Sequence, residues 1–261
     1  MNYWVQRNLK SQNKLSDKTV KSIEKQLRKY YGTSAEKILG QFEKTYNKLI
    51  SSIDEGKKPT PADLYKLDAY WKMQGQVRQE LQKLGEKQVV ALTKAFEMNF
   101  FEVYYSLNLP NNEVGEAFSM IDNAMVHQMI NSIWCADGKS WSQRIWENND
   151  LLMATLNDEL IHCVAAGKKT TELKQLLQNR FNVSYGRADA LVRTEIAHIQ
   201  TQAAQKRYED YGIKEVQVWA DEDERRCPVC GKLHEKKYPI GAAMPIPAHP
   251  RCRCTIVPVV E

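Results

Sequence analysis

The sequence predicts an α+β fold: a mainly α-helical chain with a small C-terminal β element that a zinc ion holds together. Two observations lead to this prediction. Apolar residues recur every three or four positions up to Gly212, the spacing of one buried helix face. Beyond Gly212 the period falls to two, as in a strand, and four cysteines crowd together there. The fold is therefore expected to change character near this glycine.

The composition is that of a folded globular protein. The 261 residues are 43% hydrophobic and 26% charged, which excludes disordered and collagen-like classes. No run approaches the ~18 apolar residues of a membrane helix, and residues 1–10 lack the apolar core of a signal peptide. We therefore expect a protein made in the cytoplasm, with no membrane partner. The net charge of +5 permits a nucleic-acid partner without requiring one.

Two helices are expected at the N-terminus. Ser16 is a suitable cap for the first, and Gly32 is a suitable stop, because glycine commonly ends helices. Thr33 and Glu36 have the spacing of a capping box, so a second helix is expected to begin there. The apolar stripe of this second helix comprises Ile38, Phe42, Tyr46, Leu49 and Ile53.

A further helical segment is expected after a polar loop. Thr60-Pro61 predicts its start, because proline is favoured at the first helical position. The apolar pattern over residues 64–107 then fits either one long helix or two in series. Phe96, Phe100 and Tyr104 near its end have the spacing of helix-in-groove anchors. So many aromatic residues predict an apolar patch left uncovered for a protein partner.

The pattern breaks at Leu109-Pro110-Asn111-Asn112, which is the best candidate for a domain boundary. An N-terminal helical region, residues 1–110, and a C-terminal domain, residues 111–261, are therefore expected. Four helical segments are predicted in the second domain, over 114–133, 141–166, 170–181 and 184–211. Strands are predicted from Val216 to a point near Trp219 and over 255–259. Trp141 and Trp146 are five apart, so one is expected to be buried and the other to lie at an interface.

The cysteine pattern is the most specific chemical feature. Cys227-Pro-Val-Cys230 directs two thiolates at one point, and His249, Cys252 and Cys254 supply three further donors. Such nitrogen and sulfur donors fit structural zinc with tetrahedral coordination. Segment 214–258 is therefore the predicted zinc-binding segment. The alternative is two reduced cysteine pairs without a metal.

Five donors compete for four tetrahedral positions. Cys227 and Cys230 are the firmest, and Cys252 with either His249 or Cys254 would complete the set. Because alternate residues of an extended segment point to opposite sides, one of the last two cysteines would then point away. His234 is a sixth and weaker candidate. A catalytic metal is disfavoured, because four or five protein donors close the site.

Glu195 and His198 lie three apart and share a helix face, as in di-metal bundles. No matching pair accompanies them, so with Arg193 they are interpreted as a structural polar cluster or as a set on the helix surface. The sequence contains no phosphate loop, dinucleotide fingerprint or serine nucleophile elbow. No catalytic residues are therefore expected. The basic residues over 18–29 are interpreted as a solvated face, with sequence-independent nucleic-acid binding as the alternative.

Five motifs follow one another in the C-terminal half: Trp141-Ser-Gln-Arg-Ile-Trp146, Arg193-Thr-Glu195, Trp219, Cys227-Pro-Val-Cys230 and His249-Pro-Arg-Cys252-Arg-Cys254. This ordered set resembles the phage Mu F-like head morphogenesis family. The resemblance covers roughly residues 115–258. Residues 1–110 carry no assignable motif and look like the variable helical region that precedes the domain in such proteins.

The resemblance implies a non-enzymatic minor capsid protein of tailed bacteriophages and prophages. Such proteins occur in few copies in the prohead, associate with the portal protein, support head assembly and in some cases bind DNA. The implied location is the virion or prohead, and the bacterial host cytoplasm during assembly. Residues 1–110 would dock on the portal or scaffold. The major capsid protein, and double-stranded DNA bound without sequence specificity, are further partners that the resemblance leaves open.

The competing hypothesis is a zinc-containing nuclease or toxin-like enzyme acting on nucleic acid. It requires a histidine or carboxylate beside the metal, and only His234 and the acidic run 221–224 offer one. Some members of the resembling family carry a fused toxin or ADP-ribosyltransferase domain. Because this sequence stops at Glu261, just after the domain, no such fusion is expected.

Overall fold

The computed structural model describes residues 3–108, 121–220 and 227–259. The described part is mainly helical with one small sheet, so the predicted α+β class is confirmed. In chain order the elements are α1 (Tyr3–Ser51), α2 (Pro61–Lys66), α3 (Asp68–Ser106), α4 (Asn123–Ile130), α5 (Trp141–Ala166), α6 (Thr170–Asp210), β1 (Glu215–Trp219), α7 (Pro228–Leu233), β2 (Lys237–Pro239) and β3 (Thr255–Pro258).

Helix α1 is continuous, so the predicted cap at Ser16, stop at Gly32 and start at Thr33 are wrong. Buried apolar side chains continue on both sides of the glycine, as at Leu27 and Ile38. A glycine inside a helix costs about 1 kcal/mol relative to alanine. Burying one large apolar side chain contributes about 1.5–3 kcal/mol, which outweighs that cost.

Helix α6 also runs without a break from Thr170 to Asp210, so the predicted division between residues 181 and 184 is wrong. Ser184 does not cap a helix, because it lies inside α6 and is only 2% exposed. Its hydroxyl receives a hydrogen bond from Nδ2 of Asn148 at 2.9 Å. A serine with such a partner has no need to terminate the helix in order to satisfy its side chain.

The predicted helix start at Thr60-Pro61 is confirmed, although the helix is short. Thr60 is the N-cap of α2, and the side chain of Asp63 accepts a hydrogen bond from the Thr60 N–H at 3.1 Å. The extended residue Leu67 ends α2, and α3 follows as one long helix. The open choice between one helix and two therefore resolves as a short helix followed by a long one.

Gly85 lies inside α3 because the ring of Trp146 approaches the helix there. A Cβ at position 85 would lie 2.8 Å from ring atom Cε3 of Trp146 and 2.8 Å from Nδ2 of Asn149. A Cβ at Gly75 of the same helix would meet nothing within 4 Å. Trp141 is 2% exposed, as predicted for one of the two tryptophans, whereas Trp146 is 37% exposed. An interface at Trp146 stays a prediction.

The sheet is antiparallel, with strand order β2-β1-β3. Val218 pairs with Ile256 across β1 and β3, and Val216 pairs with Tyr238 across β1 and β2. The strands predicted near 216–219 and 255–259 are confirmed as β1 and β3. Strand β2 was not predicted, because its three residues, Lys237–Pro239, are too short to show an alternating pattern.

The chain forms two compact units. Unit 1 comprises 1–24, 91–141 and 190–261, and unit 2 comprises 25–90 and 142–189. Each unit takes residues from both sides of position 110, so the units do not follow the order of the sequence. The proposed boundary at 109–112 lies outside the described residues, and the division into 1–110 and 111–261 stays a prediction. Of the helix predicted over 114–133, the structure describes α4 from residue 123 onward and nothing over 109–120.

In unit 1 the aromatic residues of α3 form core, which overturns the predicted docking patch. Phe96, Phe100 and Tyr104 are each 0% exposed. Phe96 packs edge-to-face on Trp141, with ring centroids 5.2 Å apart. The hydroxyl of Tyr104 donates a hydrogen bond to Asp210 Oδ2 at 2.6 Å. Phe96, Phe100 and Tyr104 therefore bury the end of α3, whereas the neighbouring Tyr105 is 45% exposed.

In unit 2 helix packing supplies the core. Its fully buried large side chains include Leu27, Ile38, Phe42, Tyr46, Leu49, Leu64 and Phe181. The hydroxyl of Tyr46 donates a hydrogen bond to the carbonyl of Lys168 at 2.5 Å. The buried carboxylate of Glu80 receives hydrogen bonds from Ser34 at 3.1 Å and Lys37 at 3.3 Å. Unit 2 thus combines apolar burial with buried polar groups, such as the Glu80 carboxylate, that are hydrogen-bonded.

Candidate metal centre

The five predicted donors lie together in unit 1, in two groups of three that share Cys230. One group contains Cys227, Cys230 and His249, and the other contains Cys230, Cys252 and Cys254. Within each group the donor atoms all lie within 4.8 Å of one another. Among the described residues these are the groups that could hold a metal ion. The five residues singled out in the sequence are thus the members of these two groups, and their binding of a metal stays a prediction.

The first two cysteines are brought together by the start of α7. Cys227 is the N-cap of this helix, and its Sγ accepts a hydrogen bond from the Cys230 N–H at 3.2 Å. Pro228 fits the first helical position because its missing N–H is not needed there. The Cys-Pro-x-Cys pattern thus folds into a cap in which the two sulfur atoms face the same point.

His249 presents one ring nitrogen to the sulfur atoms. Its Nδ1 lies 2.9 Å from the carbonyl oxygen of Pro250, and its Nε2 lies 3.2 Å from Sγ of Cys230. A carbonyl beside Nδ1 holds the proton on that nitrogen, which leaves Nε2 free to bind a metal. The same carbonyl raises the pKa of His249.

Cys252 and Cys254 both face Cys230, so neither points away as the extended-chain argument allowed. Both are buried, at 2% and 6% exposure. The Cys254 thiol donates a hydrogen bond that lowers the pKa of Cys252 to about 5, and the same contact raises the pKa of Cys254. Burial raises the pKa of Cys230 to about 12. The backbone N–H of Cys230 lowers the pKa of Cys227.

The spacing of the cluster fits a tetrahedral metal ion. Zn–S bonds of about 2.3 Å place two thiolate ligands roughly 3.8 Å apart, and Sγ of Cys230 lies 3.7 Å from Sγ of Cys252. The site already favours negative charge at Cys227 and Cys252. A bound cation would release the protons of the remaining thiols, because a coordinating thiol is deprotonated. The Cys/His cluster can therefore hold a metal ion.

His234, the weaker sixth candidate, is not part of either group. Its Nδ1 lies 3.2 Å from the backbone nitrogen of Ala220, and its ring packs edge-to-face on Trp219 at 4.6 Å. This histidine therefore supports the end of β1. The acidic run 221–224 and the arginines at 225 and 226 lie outside the described residues. Arg251 and Arg253 are exposed beside the cluster.

On α6, Glu195 and His198 both contact Trp134, as a structural polar cluster would. Glu195 is 3% exposed, and one of its oxygens accepts a hydrogen bond from Nε1 of Trp134 at 3.0 Å. His198 stacks on the same indole, with centroids 4.3 Å apart, and Arg193 pairs with Glu24. Burial lowers the pKa of His198 to about 4, so its ring is neutral at physiological pH. No di-metal arrangement occurs here among the described residues.

Two polar side chains that the sequence analysis did not single out hold the donor segment. The hydroxyl of Thr194 accepts a hydrogen bond from the Arg251 N–H at 3.0 Å. Gln12 is 0% exposed; its Nε2 donates to the carbonyl of Ile256 at 3.3 Å, and its Oε1 accepts from the hydroxyl of Thr255. Thr194 stands within the Arg-Thr-Glu motif, and that motif was the feature of the sequence that could have drawn attention to it. No feature of the sequence pointed to Gln12, because a lone polar residue on an amphipathic helix is usually exposed.

The site thus defines a Cys/His metal-binding segment anchored on a helical scaffold. Residues 154–257, less than half of the chain, match the family described as Phage Mu protein F like protein. The matched range contains all five donors and the Arg-Thr-Glu motif. The family is one of phage head-related structural proteins.

The chain is also similar to an enzyme. It is 24% identical over 186 residues to the NAD(+)–arginine ADP-ribosyltransferase EFV of Enterococcus faecalis. The similar region makes up 64% of this chain and 38% of that relative, so the chain spans well under half of the relative's length. No solved structure matches the chain. Within the described part of the chain, no helix is both long and apolar enough to cross a membrane.

Proposed function

We propose that this protein is a minor head protein of a tailed bacteriophage or prophage that supports prohead assembly while bound to the portal protein. The observation that carries this proposal is the family match of residues 154–257. The Cys/His cluster and the helix that anchors it lie inside this range, so the family segment and the built site are the same part of the molecule. Its location would be the virion or prohead.

We further propose that the cluster binds structural zinc. Four of the five donors would complete a closed tetrahedral site, leaving no position for a reactive water molecule. The three strands of the sheet, with five, three and four residues, are too short to bury a core of their own. Metal binding would contribute folding free energy to this segment, which supports a structural role.

A non-enzymatic role is part of the proposal. The family supports it, and the relative that is named as an enzyme shares only 38% of its own length with this chain. Activity can be tested directly with the metal-loaded protein. Incubation with labelled NAD⁺ and an arginine acceptor is expected to transfer no label. Incubation with plasmid DNA and Mg²⁺, Mn²⁺ or Zn²⁺ is expected to leave the plasmid intact.

The assembly role can be tested with the portal, scaffold and major capsid proteins of the same phage or prophage. Co-expression with the tagged chain is expected to recover the portal in complex, and omitting the chain is expected to reduce the number of well-formed proheads. Purified proheads are expected to contain few copies, located at the portal vertex. Normal proheads without the chain, or a chain distributed over the whole capsid, would contradict the proposal.

The docking surface proposed for the N-terminal helices can be tested at an exposed aromatic pair. Trp71 is 59% exposed, and its indole N–H donates a hydrogen bond to the carbonyl of Tyr65 at 3.0 Å. Tryptophan and tyrosine are enriched in protein interfaces. Trp71→Ser is expected to weaken portal recovery more than Val90→Ser does, where Val90 is a 72% exposed position on the same helix. Equal recovery would place the docking surface elsewhere.

A further inference from the structure

The loop that carries His249 and Cys252 is a four-residue turn with an unfavourable residue at its third position. The Cys252 N–H donates a hydrogen bond to the carbonyl of His249 at 3.2 Å, which closes the turn. Pro250 occupies the second position. Arg251 occupies the third with φ of 61°, a conformation that glycine adopts readily and arginine does not. Surrounding contacts must therefore hold Arg251 in this conformation.

The central peptide of this turn, between Pro250 and Arg251, is held at both ends. Its carbonyl oxygen lies 2.9 Å from Nδ1 of His249, and its N–H donates to the hydroxyl of Thr194 at 3.0 Å. The two commonest turn types differ by a flip of this central peptide, which reverses the directions of both groups. The His249 ring donates to the carbonyl of this peptide, and the Thr194 hydroxyl accepts from its N–H. Both contacts favour the same orientation of the peptide.

Thr194 is fixed in place by its own helix. Its hydroxyl proton is donated to the carbonyl of Ala190 at 2.7 Å, so the oxygen presents a lone pair to the Arg251 N–H. Thr201, two turns further along α6, makes the same type of bond to the carbonyl of Ala197 at 2.9 Å. Thr201 thus offers a matched position on the same helix.

We propose that Thr194 is a positioning residue for the metal ligands and that it acts through the backbone of Arg251. By holding the central peptide, the hydroxyl keeps the Pro250 carbonyl against Nδ1 of His249, and Nε2 of that ring toward Cys230. It also sets the separation of His249 from Cys252 along the turn. This inference rests on the proposed metal site, because it assigns a role in that site to a residue that is not itself a ligand.

The test uses the full chain and compares Thr194→Val with Thr201→Val and Thr194→Ser. Zinc content, the rate of zinc transfer to a chromogenic chelator, and the absorption spectrum of the cobalt-substituted protein are measured. Residues that orient metal ligands typically change metal affinity by 10–100-fold. Thr194→Val is expected to weaken zinc binding about 10-fold and to alter the cobalt spectrum. Thr194→Ser and Thr201→Val are expected to match the wild type in all three measurements.

A second comparison separates positioning from general loosening of the helix. Glycine at position 251 adopts a positive φ without assistance, so Arg251→Gly should make the hydroxyl of Thr194 less necessary. The effect of Thr194→Val on zinc binding is expected to be several-fold smaller in the Arg251→Gly background than in the wild type. An equal effect in both backgrounds would overturn the proposed route through Arg251. If Thr194→Val does not fold, Thr194→Ala takes its place with the same expectation.

The outcomes distinguish this inference from the metal proposal on which it rests. A wild-type chain that binds neither zinc nor cobalt overturns both. A wild type that binds zinc, together with Thr194→Val and Thr201→Val variants that release it equally fast, overturns the positioning role alone. Weakened zinc binding in Thr194→Val with rescue by Thr194→Ser supports the proposal.

Discussion

Unit 2 and the donor segment of unit 1, which the structure describes over 214–220 and 227–258, reach a defined structure by different means. Unit 2 is built from helices whose apolar faces bury large side chains such as Phe42 and Phe181. The donor segment has strands of five, three and four residues and a six-residue helix, and five metal donors cluster within it. Long amphipathic elements can bury a core, whereas short ones need another source of stability. The metal would supply it in the second region.

The strongest test of this difference between the two regions is to remove Cys230, the donor that both groups share. Cys230→Ser is expected to abolish zinc binding and destabilise the donor segment by several kcal/mol, because metal-binding free energy is folding free energy there. Elemental analysis and hydrogen exchange are the measurements. Exchange is expected to rise over 228–258, while helices in 25–90 and 142–189 stay protected.

Cys135→Ser is the control for this experiment, because Cys135 is a partly exposed cysteine outside both donor groups. It is expected to keep zinc and the wild-type exchange pattern. A Cys230→Ser protein that retains zinc, or one whose donor segment stays as protected as in the wild type, would show that the short elements do not depend on the metal.

A second test concerns the buried histidine on α6. The folded-state pKa of His198 is about 4, below its ordinary value of 6.5, because burial disfavours the charged ring. The unfolded chain therefore binds more protons between these two values, so stability falls as pH drops from 6.5 toward 4. The largest loss is about 3 kcal/mol, at 1.36 kcal/mol for each pH unit.

This loss is measured as the difference between the wild type and His198→Gln in denaturant unfolding at several pH values. A bound metal would be released from both proteins as its ligands are protonated, and the difference between the two proteins removes that contribution. His198→Gln is expected to show a shallower decline below pH 6.5. Parallel curves for the two proteins would mean that His198 titrates normally in the folded state.

The smallest expected change in stability concerns unit 2, where side-chain packing is the interaction that is tested. Gly85→Ala would place a methyl group against Trp146 and is expected to destabilise the protein by about 1–3 kcal/mol, as overpacking does. Gly75→Ala, with open space around it, is expected to stabilise by up to about 1 kcal/mol. Both variants should keep full zinc content, as measured by elemental analysis beside urea unfolding. Loss of zinc from Gly85→Ala would show that packing in unit 2 affects metal binding in the donor segment, which contradicts this expectation.

The sequence was most informative where residue chemistry and spacing coincide. The Cys-Pro-x-Cys turn and the two-residue alternation at Val216 and Val218 led to the donor cluster and to β1. The sequence was misleading at Gly32 and Ser184, whose local preferences are outweighed by packing on either side of them. Whether a glycine ends a helix depends on what the next turns bury, and that information is not local.

The aromatic residues at the end of α3 show a second limit. Phe96, Phe100 and Tyr104 lie on one helix face, and helical spacing alone cannot tell a docking face from a core face. Trp141, which packs on Phe96, is 45 positions away in the sequence. Thr194 and Gln12 were missed for a related reason. Each acts on a backbone group of a distant segment, and a polar side chain does not reveal such a partner in advance.

The bond from Gln12 to the carbonyl of Ile256 joins residues separated by 244 positions. During synthesis the first turns of α1 leave the ribosome long before strand β3 exists, so this part of α1 cannot reach its final surroundings until almost the whole described chain has emerged. Residues 25–90 and 142–189 contain all of unit 2 and can assemble earlier. The order of translation therefore favours a nascent chain whose middle is ordered first and whose two ends meet last, since domains generally fold as units while contacts between distant residues form slowly.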